Sequence, residues 1–166
     1  EDNIYCDGKI ELNCFSQETH RLDLYELKEQ WQQRIWTGED CYQAFQSMGI
    51  VYGPHFQGVE KIYMGERQAL AKIHLPACME NKQDAYTLHP CLLDVAIQSA
   101  VGLTLSEAGQ GLSLPFAMDE LLLIGDCLES QWAFVRQRNS GKGIIKVDID
   151  VCDHRGDCVL LIKGLT

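Results

Sequence analysis

The chain has 166 residues, 46% of them apolar, enough for one compact domain with its own core. Its 14 basic residues are outnumbered by 24 acidic ones, and the resulting charge of −10 is spread along the sequence. Nucleic acid and anionic membrane both reward clustered Lys and Arg, so both are excluded as partners, and no apolar run approaches the roughly 18 residues a bilayer span needs.

Eight cysteines invite a disulfide or zinc reading, but no pair has CxxC spacing, and most sit among apolar neighbours, as in Ile149-Asp150-Val151-Cys152 and Cys158-Val159-Leu160. They read as unpaired, buried thiols in a reducing cytoplasm. No signal peptide opens the sequence, and a start at Glu1 without Met suggests a piece of something longer.

Residues 1–36 are polar and mixed, and read as a linker and entry segment. Leu24, Leu27 and Trp31, spaced by three and four, suit a short amphipathic helix or a turn within it. A clearer helix begins at Thr37, with Asp40 placed for a capping box, Tyr42, Phe45 and Met48 as the apolar stripe, and Gly49 as the stop. A turn-rich stretch, Val51-Tyr52-Gly53-Pro54-His55-Phe56-Gln57-Gly58, follows. Strands are predicted over Val59–Met64 and Ala69–Leu75, joined at Gly65-Glu66-Arg67.

Residues 76–86 read as a loop. Leu88-His89-Pro90 then opens the most apolar helix, running to about Leu105, with Pro90 in the first turn where its missing N–H does no harm. Apolar residues on nearly every face predict burial. Further strands are expected over Leu112–Phe116, Glu120–Ile124, Gln131–Gln137, Ile144–Cys152 and Cys158–Gly164. Residues 146–151 alternate, so one face is expected buried and one wet. Asp153-His154-Arg155-Gly156-Asp157 is the last turn. The fold class is α+β, an antiparallel sheet wrapped around a central helix.

The central helix carries two polar residues, Asp94 and Gln98, four apart and on one face. A carboxylate there is costly to bury, while the nearby helix N-terminus favours the anion; a group under both pulls suits general acid chemistry. The alternative is a structural carboxylate bonded to the loop above it. His89 reads as a cap or a packed ring before it reads as a base. Tyr52-Gly53-Pro54 is either a structural turn or a source of a backbone N–H that polarises a carbonyl. No histidine pair has metal-ligand spacing, and no metal is expected.

These motifs, taken together, resemble polyketide synthase dehydratase domains. Leu88-His89-Pro90-Cys91-Leu92-Leu93-Asp94-Val95-Ala96-Ile97-Gln98 is similar to the HPxLLDxxxQ signature, Val51–Gly58 to YGPxFxG, and Leu114-Pro115-Phe116 to the LPF segment, all in family order. The resemblance covers residues 38–166 and implies a hotdog fold, the second half of a double hotdog, over residues 37–166. It implies Asp94 as the catalytic acid that protonates the departing 3-hydroxyl of a 3-hydroxyacyl thioester, and Gln98, Tyr52, Gly53, Pro54, His89 and Pro115 as substrate-binding residues. No cofactor is bound directly: the substrate rides on the phosphopantetheine arm of an acyl carrier protein.

The HxxxGxxxxP motif that carries the family's catalytic histidine is absent from all five histidines. The expected partners are therefore an upstream N-terminal hotdog of the same polypeptide and the carrier protein, and the chain alone is expected to be inactive. An isolated hotdog is also expected to self-associate as a homodimer over its uncovered face. Two alternatives stand beside dehydration. One is a non-catalytic docking module; the other is a pyran-forming or double-bond-shifting relative, and the retained Asp94 and Gln98 favour ordinary dehydration over double-bond shifting while leaving ring closure open.

Overall fold

The computed structural model describes residues 7–12, 20–79, 86–104, 114–138 and 144–166. Seven strands form one antiparallel sheet. They are β1 (Ile35–Thr37), β2 (Val59–Met64), β3 (Gln68–Ile73), β4 (Glu120–Leu123), β5 (Trp132–Arg138), β6 (Lys146–Cys152) and β7 (Cys158–Leu165). Their spatial order is β1-β2-β3-β5-β6-β7-β4. The helices are α1 (Leu24–Gln30), α2 (Gly38–Ser47), α3 (Pro90–Gln98) and α4 (Val101–Thr104).

The larger core lies between one face of the sheet and α2, α3 and α4. Ile62, Ala71, Val135, Ile149 and Ile162 meet Phe45, Leu92, Val95 and Ala96 there. On the opposite face Leu24 of α1 joins Leu70, Trp132, Phe134 and Leu161 in a second cluster. The segment expected as a linker thus contributes a helix that covers the sheet. It also contributes the edge strand β1, which is too short to announce itself in the sequence.

Local chemistry explains most boundaries. Thr37 caps α2 with a complete capping box, its side chain accepting from the Asp40 N–H while the Asp40 carboxylate accepts from the Thr37 N–H at 2.8 Å. Gly49 takes φ +92° just past the end of α2, a conformation that favours glycine. The β2–β3 hairpin closes through Gly65-Glu66-Arg67 with Arg67 at φ 55°. In the last turn the Asp153 carboxylate accepts from the N–H groups of Arg155 and Asp157 at 2.7 and 3.0 Å.

Several further expectations change. The helix predicted to run to Leu105 breaks at Ser99-Ala100 into α3 and α4. The Ser99 hydroxyl donates back to the Val95 carbonyl at 3.1 Å, competing with the regular ladder. The helix is not buried all round: Leu93, Asp94, Ile97 and Ala100 are half-buried, and the last three line a cavity. No strand forms over the described residues 114–116; the Phe116 N–H instead donates to the Thr166 carbonyl at 2.7 Å. The expected start of that strand, at residues 112–113, lies outside the described residues.

The face of β6 expected to be wet is partly dry. Asp150 is 3% exposed, its carboxylate gripped by the Arg136 guanidinium and joined by the His20 imidazole at 2.9 Å. Cys41, Cys78, Cys91, Cys127, Cys152 and Cys158 are free thiols; Cys6 and Cys14 lie outside the described residues. No helix among the described residues is long and apolar enough to cross a membrane.

Candidate active site

Helix α3 sets the site. Pro90 occupies its first turn, and the His89 imidazole caps it, Nδ1 accepting from the Cys91 N–H at 3.2 Å. One turn further on, Asp94 and Gln98 share a face, and the Gln98 Nε2 donates to Asp94 Oδ2 at 2.6 Å. Gln98 is 3% exposed, so its amide needs partners. The turn over Pro54–Phe56 supplies one, the Phe56 carbonyl, at 2.9 Å from Nε2. Helix α2 supplies the other. The Tyr42 hydroxyl lies 3.2 Å from Gln98 Oε1 and accepts from the Val59 N–H at 2.9 Å.

Asp94 opens onto a cavity of about 270 Å³ whose walls are mostly apolar and include Phe45, Tyr52, Ile97, Gln98 and Pro115. Leu165 and Thr166 at the end of β7 close one side. Tyr52 packs edge-on against Phe45, ring centroids 4.9 Å apart. Burial pushes the Tyr52 phenol up, and the Asp94 charge adds to the shift. Burial also pushes the Tyr42 phenol up to about 12, so it stays a neutral donor across any working pH.

Of the residues singled out in the sequence, Asp94, Gln98, Tyr52 and Pro115 come together around this cavity. Gly53 and Pro54 sit in the exposed turn just beyond Tyr52 and are not among the lining residues. His89 is 1% exposed, stacks edge-on against Tyr86 at 5.2 Å, and does not line the cavity. Burial lowers its pKa. Its place is that of a helix cap. Tyr42 was missed as a site residue because it reads as one apolar rung of the α2 stripe; a hydroxyl on such a stripe was the available signal.

One cluster of metal-ligating groups exists among the described residues, away from this cavity. His20, Asp150 and Cys158 place ligand atoms within 4.8 Å of one another. The Arg136 guanidinium holds both Asp150 oxygens, so a cation there would meet a positive charge and a carboxylate already engaged.

Comparison with known proteins identifies the frame around this site. The family model described as polyketide synthase dehydratase N-terminal domain matches residues 19–166. Polyketide synthase PksM of Bacillus subtilis is 38% identical over 97% of this chain, and PksN of the same organism is 33% identical over 96%. The chain spans only 4% and 3% of those two relatives. Among solved structures, a trans-AT polyketide synthase dehydratase domain from Brevibacillus brevis superposes with a TM-score of 0.83 at 33% identity, covering 90% of this chain and 53% of that one. The dehydratase domain from the CurK module of curacin polyketide synthase gives 0.74 at 31% identity, covering 88% and 51%. The sheet wrapped on a central helix is thus the hotdog of these domains, and the chain belongs to the polyketide synthase dehydratase family.

Proposed function

We propose that this chain is the acid-bearing, C-terminal hotdog half of a polyketide synthase dehydratase, a hydro-lyase that converts a 3-hydroxyacyl group on an acyl carrier protein into a 2,3-enoyl group. The observation that carries the reading is the Asp94 carboxyl, held by Gln98 on the wall of an apolar cavity. Although the matching family model is described by an N-terminal domain, the HPxLLDxxxQ, YGPxFxG and LPF motifs and the absence of HxxxGxxxxP favour the second half. Coverage of about half of the solved dehydratase chains fits one half of such a domain, whichever half it is.

In this mechanism a histidine of the upstream hotdog removes the α-proton of the thioester. The Cα–H electron pair forms the C2–C3 double bond as the C3–O bond breaks. Asp94 gives its proton to the departing hydroxyl, and water leaves. Apolar walls around Asp94 exclude competing solvent and strengthen the electrostatics of the transfer. Tyr52 and Pro115 shape the acyl path, Gly53 and Pro54 hold the turn that carries Tyr52, and His89 fixes the start of the helix that presents the acid. The partners are the upstream hotdog, cytoplasmic like this half, and the carrier protein whose phosphopantetheine arm delivers the substrate.

The test joins this chain to its upstream hotdog and measures water loss from a 3-hydroxyacyl pantetheine thioester. The joined protein is expected to be active and the chain alone inactive. Asp94→Asn is expected to lower kcat by about 10²–10⁴-fold, the usual contribution of a positioned acid. Full activity in that variant would overturn the assignment.

A further inference from the structure

The hydrogen bonds around Gln98 run in one direction, and that direction has a chemical consequence. The Val59 N–H donates to the Tyr42 oxygen at 2.9 Å. An N–H cannot accept, so the Tyr42 proton is directed elsewhere, and Gln98 Oε1 at 3.2 Å is nearer than the Phe56 carbonyl at 3.4 Å. The Gln98 Nε2 faces two acceptors, the Phe56 carbonyl at 2.9 Å and Asp94 Oδ2 at 2.6 Å. A flipped amide would set Oε1 against both of them and Nε2 against the Tyr42 hydroxyl, so the surroundings settle the orientation. Both Nε2 protons are then donated.

The order is therefore Val59 N–H to Tyr42 O–H to Gln98, and Gln98 to Asp94. Asp94 Oδ2 is an acceptor in it. An oxygen that already accepts such a bond is the poorer place for a proton, so the carboxyl proton belongs on Oδ1. We propose that Tyr42 is a positioning residue for the acid: acting through Gln98, it fixes which oxygen of Asp94 carries the transferable proton. This rests on Asp94 being the acid, as argued above. Tyr42 is not among the residues that line the cavity, and its high pKa keeps the donor in place throughout.

A residue that acts only through another leaves a signature in a double-mutant cycle. In the dehydratase joined to its upstream half, Tyr42→Phe is expected to lower kcat about 3–10-fold with KM unchanged, as befits one neutral hydrogen bond. Gln98→Leu is expected to lower it further. The double variant is expected to match Gln98→Leu alone, since Tyr42 has nothing left to orient. A merely structural role predicts multiplied losses instead.

Losses that multiply, or a Tyr42→Phe enzyme with wild-type kcat, overturn the proposal while Asp94→Asn stays inactive. A fully active Asp94→Asn enzyme overturns the assignment of Asp94, and the relay with it. Should Tyr42→Phe fail to fold, the unsubstituted enzyme still decides. The Tyr42 hydroxyl proton, donated inside the protein, is expected as a slowly exchanging NMR resonance. Exchange too fast to observe overturns the relay.

Discussion

His89 shows how a single side chain ties stability to pH. It is 1% exposed, its Nδ1 accepts the capping bond from the Cys91 N–H, and burial disfavours its charged form. The folded state therefore binds the His89 proton less readily than the unfolded chain, whose imidazole titrates near pH ~6.5. Between the lowered folded value and that reference the unfolded state holds more protons, so stability rises with pH across the window. It is fully present above about pH 6.5 and is lost as the pH falls below it. His89→Asn keeps a capping side chain but removes the titration. Chemical denaturation from pH 7.5 to 5.5 is expected to show wild type losing more stability than His89→Asn on acidification. Parallel pH profiles for the two would refute this. The helix start and a cap or a packed ring at His89 were visible in the sequence; that His89 is both at once was not, because its burial depends on Tyr86 and on the core beneath.

Gly58 governs how closely two elements approach. It sits just before β2, and its carbonyl accepts from the His74 N–H at 2.9 Å. A Cβ at this position would lie 2.3 Å from the His74 carbonyl oxygen and 2.8 Å from the Val95 side chain of α3. The glycine lets the β2–β3 hairpin and the central helix pack on each other at the point where Val59 joins the Tyr42 hydroxyl. Gly58→Ala is expected to destabilise the protein by about 1–3 kcal/mol, the usual cost of overpacking, read from urea unfolding. A change below about 0.5 kcal/mol would mean that the backbone gives way there at little cost. Element boundaries were largely readable: the capping box at Thr37-Asp40, Pro90 in the first turn of α3 and the glycine stop at Gly49 are local devices. The break at Ser99, the missing strand at residues 114–116 and the presence of β1 were not, since propensity over three to five residues yields to tertiary contacts.

Residues 20–34 bind the whole molecule together from outside the motif region. The Leu22 N–H donates to the Gly156 carbonyl at 2.9 Å, Leu24 is buried against the sheet, and Trp31 stacks on Phe134 with ring centroids 6.2 Å apart. Lys28 sits over the Trp132 ring at 5.1 Å, and His20 meets the buried Asp150. Removing residues 1–33 would expose Trp132, Phe134 and Leu161 on the outer face, each worth roughly 1.5–3 kcal/mol when fully buried. The truncated chain is expected to melt at least about 5 °C lower than the full one. An unchanged melting temperature would show that α1 adds no net stability.

The fold class and the pairing of Asp94 with Gln98 needed no coordinates. Residues four apart on a helix share a face wherever that helix lies, and alternating or capped segments declare themselves over a few residues. Three-dimensional packing was needed to show the rest. It brings Ile145 and Leu165 to the cavity of Asp94, removes His89 from that cavity, dries Asp150 and turns Tyr42 from an apolar rung into a donor to Gln98. Each of these depends on segments distant in sequence meeting at bonding distance, which local sequence pattern does not encode.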